Sequence, residues 1–403
     1  MAKTYPAPIY SNIPGTWAHS TVTQRLPTIA GRVIKENQFS DQINRNLSRL
    51  QDDLNQGSIR SLLDQDTPDQ EAWEGYLEPF LGRSWLDVPW FFAEHYFYRR
   101  IMEAVDYFQL GQDPFGFQKG QGLEKTLGEI QTLGNFLQER LADPENVKGT
   151  VTEGIYFSLW GNQADLSLWP AGSEGNPTHD SQKTLQEHLL ANDISTVMDL
   201  LCGSSQILPR VDLLLDNAGF ELISDLALAD IVLGLGLVEQ VYLLAKAHPT
   251  FVSDVVPVDV GEAVDFLLDQ DHPATRSFGT RLSEYLQSGR LLIQKHFFWN
   301  SPLMMWELPD DIRTDWRNSS LVISKGDANY RRLLGDRQWE FTVPFSEAVD
   351  YLPVPLTALR TLKAELAAGL DPAQIQLAEK TDPTWMVDGR WGVIHFSEGN
   401  GKG

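Results

Sequence analysis

The chain of 403 residues has a single cysteine, Cys202, and no apolar run of membrane-spanning length. One cysteine excludes an internal disulfide and is typical of proteins in a reducing compartment. Acidic residues interrupt the longest apolar stretch, and the opening Met-Ala-Lys-Thr-Tyr-Pro lacks the apolar core of a secretory signal. We therefore expect a cytoplasmic protein that does not associate with a membrane.

Basic residues are also scarce, with 32 Lys and Arg against 55 Asp and Glu and a net charge of −23. Such a surface repels nucleic acid and anionic membranes at long range, so we expect no nucleic-acid partner. A phosphorylated ligand would need cations placed close to its site. Most of the acidic excess is explained by solubility alone.

Several catalytic signatures are missing. The eight histidines show no H-x-x-x-H spacing for a metal, and the chain has no G-x-S-x-G nucleophile motif. Gly234-Leu-Gly236 is followed by Glu239 at the position of the third glycine in a dinucleotide fingerprint. Zinc hydrolase, serine hydrolase and dinucleotide-binding classes are therefore disfavoured.

The first part of the chain has helical patterns. After an irregular, proline-rich segment over residues 1–36, apolar residues at helical spacing predict a helix between Ser40 and Gly57. Residues Trp90–Tyr107 contain few polar positions and predict a buried helix. Nothing before about residue 148 resembles a central strand, so residues 1–148 are predicted to form a helical N-terminal domain.

The pattern changes after residue 148. Continuous apolar runs alternate with helical stretches, which predicts βαβ units and a mainly parallel sheet buried on both faces. We therefore assign residues 149–403 to an α/β catalytic domain. The predicted strands are Ile155–Trp160, Val211–Leu215, Gln240–Lys246, Leu291–Ile293 and Ser320–Ser324.

Polar residues follow two of these strands. Asp216-Asn217 comes directly after Leu215, and Asp254 follows the next strand along the chain. Ligands of open α/β sheets bind at the carboxyl ends of strands, and adjacent parallel strands lie about 4.8 Å apart. Carboxylate and amide oxygens suit Mg²⁺ or Mn²⁺. A tight turn at Asp216-Asn217 and a helix cap at Asp254 are the simpler alternatives.

Two basic segments follow later strands. Gly326 permits close backbone approach to a ligand, and Lys325, Arg331 and Arg332 suit a phosphate, with Asn329 as a neutral donor. A solvated helix start is the alternative.

Arg360 and Lys363, three residues apart after Pro355, are predicted to share one face of a helix. Taken alone, this segment fits an ordinary solvated basic face.

Together these motifs resemble the metal-dependent damage-control phosphatase family, in the branch marked by an Arg-Thr-x-Lys motif. Some members of that family are also labelled protein-glutamate O-methyltransferases. The segment before Pro249 departs from the family, since Leu244 stands where a histidine often precedes the lysine. The matching segments are Trp90–Glu94, Tyr98–Arg100, Leu159–Ser167, Asp216–Glu221, Phe251–Asp254, Lys325–Arg331 and Arg360–Lys363.

The resemblance implies a three-layer α/β/α sandwich behind a helical N-terminal region. It implies that Asp216, Asn217 and Asp254 bind a divalent metal ion, Mn²⁺, Ni²⁺, Co²⁺ or Mg²⁺. Glu221 matches a position assigned to S-adenosylmethionine. Apart from the resemblance, Asp216 and Asp254 are candidates for general base or nucleophile, and the sequence leaves both attack by water and a phospho-enzyme open. The residues implied to contact substrate are Asn217, Glu221, Asp327, Asn329, Tyr330, Arg331 and Lys363.

The leading hypothesis is a metal-dependent phosphomonoesterase for small phosphorylated metabolites, with sugar phosphates such as fructose 1-phosphate as substrates. One alternative is an S-adenosylmethionine-dependent carboxyl O-methyltransferase. It ranks lower because methyl transfer to a carboxylate needs neither an oxygen-coordinated metal nor a basic anion pocket. A non-catalytic metabolite-binding protein is the other alternative.

Overall fold

The computed structural model describes residues 5–161, 186–203 and 206–400. Its first part is helical, as predicted. Ser40 accepts a hydrogen bond from the backbone N–H of Ile43, and the helix that begins there ends at Gly57. The helices are α1 (Trp17–Ser20), α2 (Leu26–Glu36), α3 (Asp41–Gln56), α4 (Gln70–Leu77), α5 (Trp90–Ala104), α6 (Tyr107–Leu110), α7 (Gly116–Lys125), α8 (Leu127–Leu141) and α9 (Val147–Trp160).

The prediction of an irregular segment over residues 1–36 is wrong beyond its first part. A π-helical turn at Thr21–Arg25 joins α1 to α2, so the chain is helical from Trp17 to Glu36. Pro27 lies in the first turn of α2, directly after the π-helical turn, whose wider spacing accommodates the ring and the missing N–H of the proline.

The extended residues before α1 are tied to both halves of the molecule. Ile9 donates from its backbone to Asp336 and accepts from the backbone of Trp90, at 3.0 and 2.8 Å. Gln338 donates to the carbonyl of Ala7 at 3.0 Å. The N-terminal segment is therefore part of the packed structure.

The second part is built on one sheet of seven strands in the order β1-β7-β6-β5-β2-β3-β4. All neighbouring strands are parallel except β6 and β7. The strands are β1 (Leu189–Asn192), β2 (Leu208–Leu214), β3 (Val238–Lys246), β4 (Leu291–His296), β5 (Leu321–Lys325), β6 (Leu356–Thr361) and β7 (Gly392–Ser397). The helices are α10 (Ile194–Cys202), α11 (Phe220–Gly234), α12 (Pro257–Leu268), α13 (Pro273–Ser288), α14 (Asp310–Trp316), α15 (Gly326–Leu334), α16 (Phe345–Ala348) and α17 (Pro372–Thr381).

The sheet has a hydrophobic core on each face. Leu213 and Leu243 belong to one core, with residues of α8, α9, α11, α12 and α13. Leu214 and Leu244, which point the other way along the same strands, belong to the second core with residues of α2 to α5, α14 and α15. The predicted sandwich, a mainly parallel sheet between helical layers, is confirmed. The division at residue 148 stays a prediction.

The prediction of a strand at Ile155–Trp160 is wrong, because these residues lie in α9. Helix α9 packs against α11, and Gly154 allows close contact with Leu228 and Ile231. A helix buried on nearly every side is as apolar as a buried strand, so periodicity does not separate the two. Residues 162–167 of the same motif lie outside the described part of the chain.

None of the helices within the described ranges has the length and apolar character needed to cross a membrane.

Candidate active site

Strands β2 and β3 are adjacent and parallel, and their carboxyl ends bring three predicted site residues together. Asp216 and Asn217 follow β2, and Asp254 returns beside them after the loop that follows β3. Asn217 and Asp254 form an isolated antiparallel bridge. The backbone N–H of Val255 donates to the carbonyl of Asp216 at 2.8 Å, which fixes the two segments to each other.

A cavity of about 340 Å³ opens at this edge of the sheet, and both halves of the chain contribute to it. The α/β part supplies the acidic residues of the strand ends together with basic residues from later segments. The helical part supplies aromatic and charged side chains that sequence reasoning did not assign to the site. The lining residues are Trp17, Arg25, Trp90, Glu94, Asp216, Asn217, Phe251, Ser253, Asp254, Asp327, Ala328, Arg331 and Lys363.

The two strand-end carboxylates are buried and repel each other. Burial raises the pKa of Asp216 well above its usual value, and the charges of Glu221 and Asp254 raise it further. Burial also raises the pKa of Asp254 to about 6, although Lys246 Nζ lies 3.3 Å from its Oδ2 and opposes the shift. The site therefore concentrates negative charge that its own lysine only partly compensates.

Asn217 is held by side chains on both sides of its amide. Its Nδ2 donates to Asp216 Oδ2 at 2.8 Å and to Glu221 Oε2 at 2.9 Å. Its Oδ1 accepts from Ser253 Oγ at 2.6 Å. Lys325 Nζ lies 3.2 Å from the other oxygen of Glu221. Both carboxylate oxygens of Glu221 are thus engaged inside the protein.

The loop that delivers Asp254 is strained. Phe251 and Val252 have φ angles of 47° and 71°, and a positive φ is unusual for a β-branched residue. Conformations of this kind cost about 1–3 kcal/mol each and occur mostly where surrounding contacts enforce them. Here the carbonyl of Ser253 accepts from the backbone N–H of Ala218 at 2.6 Å. The strain therefore accompanies the placement of Asp254 beside Asn217.

The Arg-Thr-x-Lys segment does not form the predicted helix. Arg360 lies in β6, between β5 and β7, and Lys363 lies in the loop that follows. Two neighbouring strands satisfy the backbone of β6, and this tertiary pairing outweighs the local helical spacing. Arg360 Nε and the backbone N–H of Lys363 both donate to Asp327 Oδ1, at 2.8 and 3.1 Å. The charges of Arg360 and Arg331 outweigh burial and lower the pKa of Asp327.

Two of the residues implied to contact substrate are instead packed inside the protein. Asn329 is fully buried, and its Nδ2 donates to the carbonyls of Leu215 and Lys325 at 3.0 and 2.9 Å. Tyr330 is also buried, and its hydroxyl lies 3.3 Å from His395 Nδ1. Neither of them lines the cavity, so the structure gives both a supporting position behind it.

Arg331 lines the cavity but is already neutralised. It pairs with Glu94 at 2.5 Å and with Asp336 at 2.7 Å, and it stacks 3.6 Å above the ring of Trp90. Trp90 and Glu94 therefore contribute to the site by holding the side chain of Arg331 in place. The sequence alone does not place Trp90 and Glu94 at the site, because Arg331 lies more than 230 positions away from them along the chain.

No group of three or more His, Cys, Asp and Glu side chains that could hold a metal ion occurs within the described ranges. The set at the strand ends is of a different kind, with two carboxylates and one amide. Whether Asp216, Asn217 and Asp254 bind a metal ion stays a prediction.

A larger cavity of about 450 Å³ is lined entirely by residues of the helical part, between positions 46 and 104. Two of its three arginines are paired with acids that also line it: Arg60 with Glu103 at 2.9 Å and Arg100 with Asp53 at 2.8 Å. This internal charge compensation makes it a less suitable ligand site than the cavity at the sheet edge.

The fold and the site define an α/β protein with buried carboxylates and basic residues at the carboxyl edge of a mainly parallel sheet. The chain belongs to the damage-control phosphatase family with an ARMT1-like domain, since the model of the "Damage-control phosphatase ARMT1-like domain" matches residues 21–377. The resemblance drawn from the sequence motifs is thereby confirmed.

Curated relatives match over nearly the whole length. The chain is 32% identical to the damage-control phosphatase ARMT1 of Xenopus tropicalis, over 97% of this chain and 99% of that protein. It is 33% identical to the protein of that name from Danio rerio, over 97% of each, and 31% identical to that of Homo sapiens, over 97% and 98%. A solved DUF89 family protein from Pyrococcus horikoshii shows 12% identity and a TM-score of 0.48, covering 93% of this chain and 96% of that one.

Proposed function

We propose that this protein is a divalent-metal-dependent phosphomonoesterase that hydrolyses small phosphorylated metabolites in the cytoplasm. Sugar phosphates, fructose 1-phosphate among them, are the substrates to test first. The observation that carries the proposal is the meeting of Asp216, Asn217 and Asp254 with Lys363 in one cavity. The names of the curated relatives, all damage-control phosphatases, support the same reaction class.

The donor set at the strand ends fits a hard divalent cation. Asp216 and Asp254 are buried carboxylates that repel each other, and Asn217 adds an amide oxygen. Oxygen ligands of this kind suit Mg²⁺, Mn²⁺, Co²⁺ or Ni²⁺. A bound ion would offset the repulsion, act as a Lewis acid on a phosphate oxygen and lower the pKa of a bound water.

The acidic and basic residues that line the cavity have different proposed roles. Four carboxylates line it, but Glu94 is paired with Arg331 and Asp327 with Arg360. Among the described residues Asp216 has no ion-pair partner, and Asp254 has only Lys246, at the longer distance of 3.3 Å, so these two are the carboxylates we assign to a proton transfer or to a phospho-enzyme. Lys363 is placed to neutralise the phosphoryl group, and Asp327 holds its backbone in position.

The test is release of inorganic phosphate from a panel of sugar phosphates by the purified full chain. Reactions contain Mn²⁺, Co²⁺, Ni²⁺ or Mg²⁺, or EDTA. We expect turnover with at least one ion and none with EDTA. Turnover that persists in EDTA, or no turnover of any phosphate ester with any ion, would contradict the proposal.

The same purified protein distinguishes the phosphatase from the methyltransferase and from the non-catalytic metabolite-binding protein. Both oxygens of Glu221 already have partners in Asn217 and Lys325, and Glu221 does not line the cavity that contains Asp216 and Asp254. We expect no transfer of labelled methyl groups to protein carboxylates and no effect of S-adenosylmethionine on phosphate release. Methyl transfer that survives EDTA would support the methyltransferase, and metabolite binding without turnover would support the non-catalytic alternative.

A further inference from the structure

Most cations around the cavity are already committed to protein groups. Arg331 is paired with Glu94 and Asp336. Arg360 is paired with Asp327, and its two terminal nitrogens donate to the backbone carbonyls of Leu366 and Ala364. Arg331 lines the cavity and the buried Arg360 does not, and the charge of each is already balanced by a carboxylate.

The lysines behind the strand ends are committed as well. Lys246 lies 3.3 Å from Asp254 and donates to the carbonyl of Trp299 at 2.8 Å. Lys325 lies 2.8 Å from Asp225 and 3.2 Å from Glu221. Both lysines are buried, and neither lines the cavity.

Two cations that line the cavity remain, Lys363 and Arg25. In the part of the chain that the structure describes, the side chain of neither one makes an ion pair or a hydrogen bond. Lys363 belongs to the Arg-Thr-x-Lys motif. Arg25 belongs to the N-terminal helical segment, is exposed, and has no part in the sequence hypotheses.

The local backbone explains how Arg25 reaches the cavity. The N–H of Leu26 bonds to the carbonyl of Thr21, five residues earlier, and so closes a π-helical turn that ends at Arg25. Pro27 has no N–H and its ring disfavours the carbonyl four residues before it, so a wider turn precedes it. Such turns insert one residue into a helix, re-aim the following side chains and are frequent at functional sites.

The other end of this helical segment is anchored beside Lys363. The backbone N–H of Trp17 donates to Glu365 Oε2 at 3.1 Å, two residues after Lys363. Trp17 and Arg25 both line the cavity. The N-terminal segment is therefore attached to the loop that carries one free cation, and it presents the other.

We propose that Arg25 is a second phosphate-binding residue of this site, which acts together with Lys363 on the substrate's phosphoryl group. This inference rests on the proposed phosphatase function. A phosphate monoester carries close to two negative charges at neutral pH, and a guanidinium donates to two of its oxygens at once. Two unpaired cations match that charge in a protein whose net charge is −23.

The experiment measures binding of inorganic phosphate to the Mn²⁺-loaded full chain by calorimetry, with Mn²⁺ affinity measured separately. We expect Arg25→Met to weaken phosphate binding at least 10-fold and to leave Mn²⁺ affinity within twofold. Arg25→Lys should recover part of the loss, since it restores charge but not the planar fork. The matched control is Arg32→Met, which removes an exposed arginine of α2 that is paired with Glu36. This control should bind phosphate and Mn²⁺ as the unmodified protein does.

Kinetics with any accepted phosphate ester give a second readout. Arg25→Met should raise KM at least 10-fold with a smaller change in kcat. Unchanged phosphate binding in Arg25→Met, an equal loss of Mn²⁺ affinity, or no phosphate binding by the unmodified protein would overturn the role of Arg25. If phosphate binds through Arg25 but no ester is hydrolysed, the anion site stands and the phosphatase proposal fails.

Discussion

Gly326 lies so close to Asp216 that a Cβ added at position 326 would stand 1.9 Å from Asp216 Oδ2. The φ angle of Gly326 is +82°, which L-residues rarely adopt. Both facts require glycine here. The close approach brings the first turn of α15, with Asp327, against the carboxylate at the end of β2.

Replacing Gly326 with alanine tests this contact. We expect Gly326→Ala to displace the Asp216 carboxylate, to weaken Mn²⁺ binding at least 10-fold and to reduce phosphate release by a similar factor. The matched control is Gly236→Ala, since Gly236 also has a positive φ, +67°, but no atom within 4 Å of the added Cβ. That control should lose about 1–2 kcal/mol of stability from backbone strain and keep Mn²⁺ affinity. Equal Mn²⁺ affinity in both variants would contradict the proposed contact.

The charge repulsion at Asp216 predicts opposite effects on stability and on metal binding. Asp216→Asn keeps the shape but removes a charge that burial, Glu221 and Asp254 all disfavour. We expect the metal-free variant to be more stable than the unmodified protein by about 1 kcal/mol, with Mn²⁺ affinity reduced at least 100-fold. Thermal denaturation with and without Mn²⁺ measures both, and Asp199→Asn, at an exposed acid, is the control. A destabilised metal-free variant would argue against the repulsion.

Lys363 is expected to contribute to the reaction of the substrate and not to the stability of the fold. Lys363→Met keeps the backbone hydrogen bond to Asp327 and removes only the ammonium. The loss of one charge-assisted contact to the transition state is worth about 2–4 kcal/mol, which is roughly a 30- to 1000-fold loss in kcat/KM. Lys380→Met, at an exposed lysine of α17, should leave kcat/KM unchanged. If the two variants are equally active, Lys363 does not touch the substrate.

The site residues that follow β2 and β3 can be predicted from the sequence, because parallel strands place their carboxyl ends at one edge of the sheet. The ends of apolar runs are visible in the sequence. The proximity of Asp216 and Asp254 therefore follows from the sequence alone. Arg360 shows where such reasoning fails. Its spacing from Lys363 is helical, but the partners of β6 are β5 and β7, one of which comes after it in the chain. Local spacing does not report pairing of that kind.

The missed residue Arg25 illustrates a second limit. Its segment contains prolines, which predict irregular structure, and the π-helical turn that Pro27 favours has no simple periodicity. The contact between Trp17 and Glu365 spans 348 positions, so nothing local connects the first helix with the site. Long-range packing of the helical region against the sheet edge completes the cavity, and only the fold reveals it.

A buried histidine behind the site predicts a pH effect on stability. His395 packs against Phe345, with ring centroids 4.6 Å apart, and lies 3.3 Å from the hydroxyl of Tyr330. Burial lowers the pKa of His395 to about 4 from the ordinary value of 6.5, and the hydrogen bond to the carbonyl of Gly369 opposes this only in part. The folded protein therefore keeps His395 neutral at a pH where the unfolded chain protonates it.

The sign of the effect follows from linkage. The unfolded chain binds more protons at His395, so its contribution to stability is complete above pH 6.5 and is lost as the pH falls toward 4. The variant His395→Gln does not have this loss. The gap in unfolding free energy between the unmodified protein and this variant should therefore narrow by about 2 kcal/mol between pH 7 and pH 5. Urea unfolding at pH 7, 6 and 5 measures the gap, and His296→Gln, at a partly exposed histidine, is the control. A gap for His395→Gln that stays constant across this range would show that His395 has the same pKa in the folded and unfolded chain.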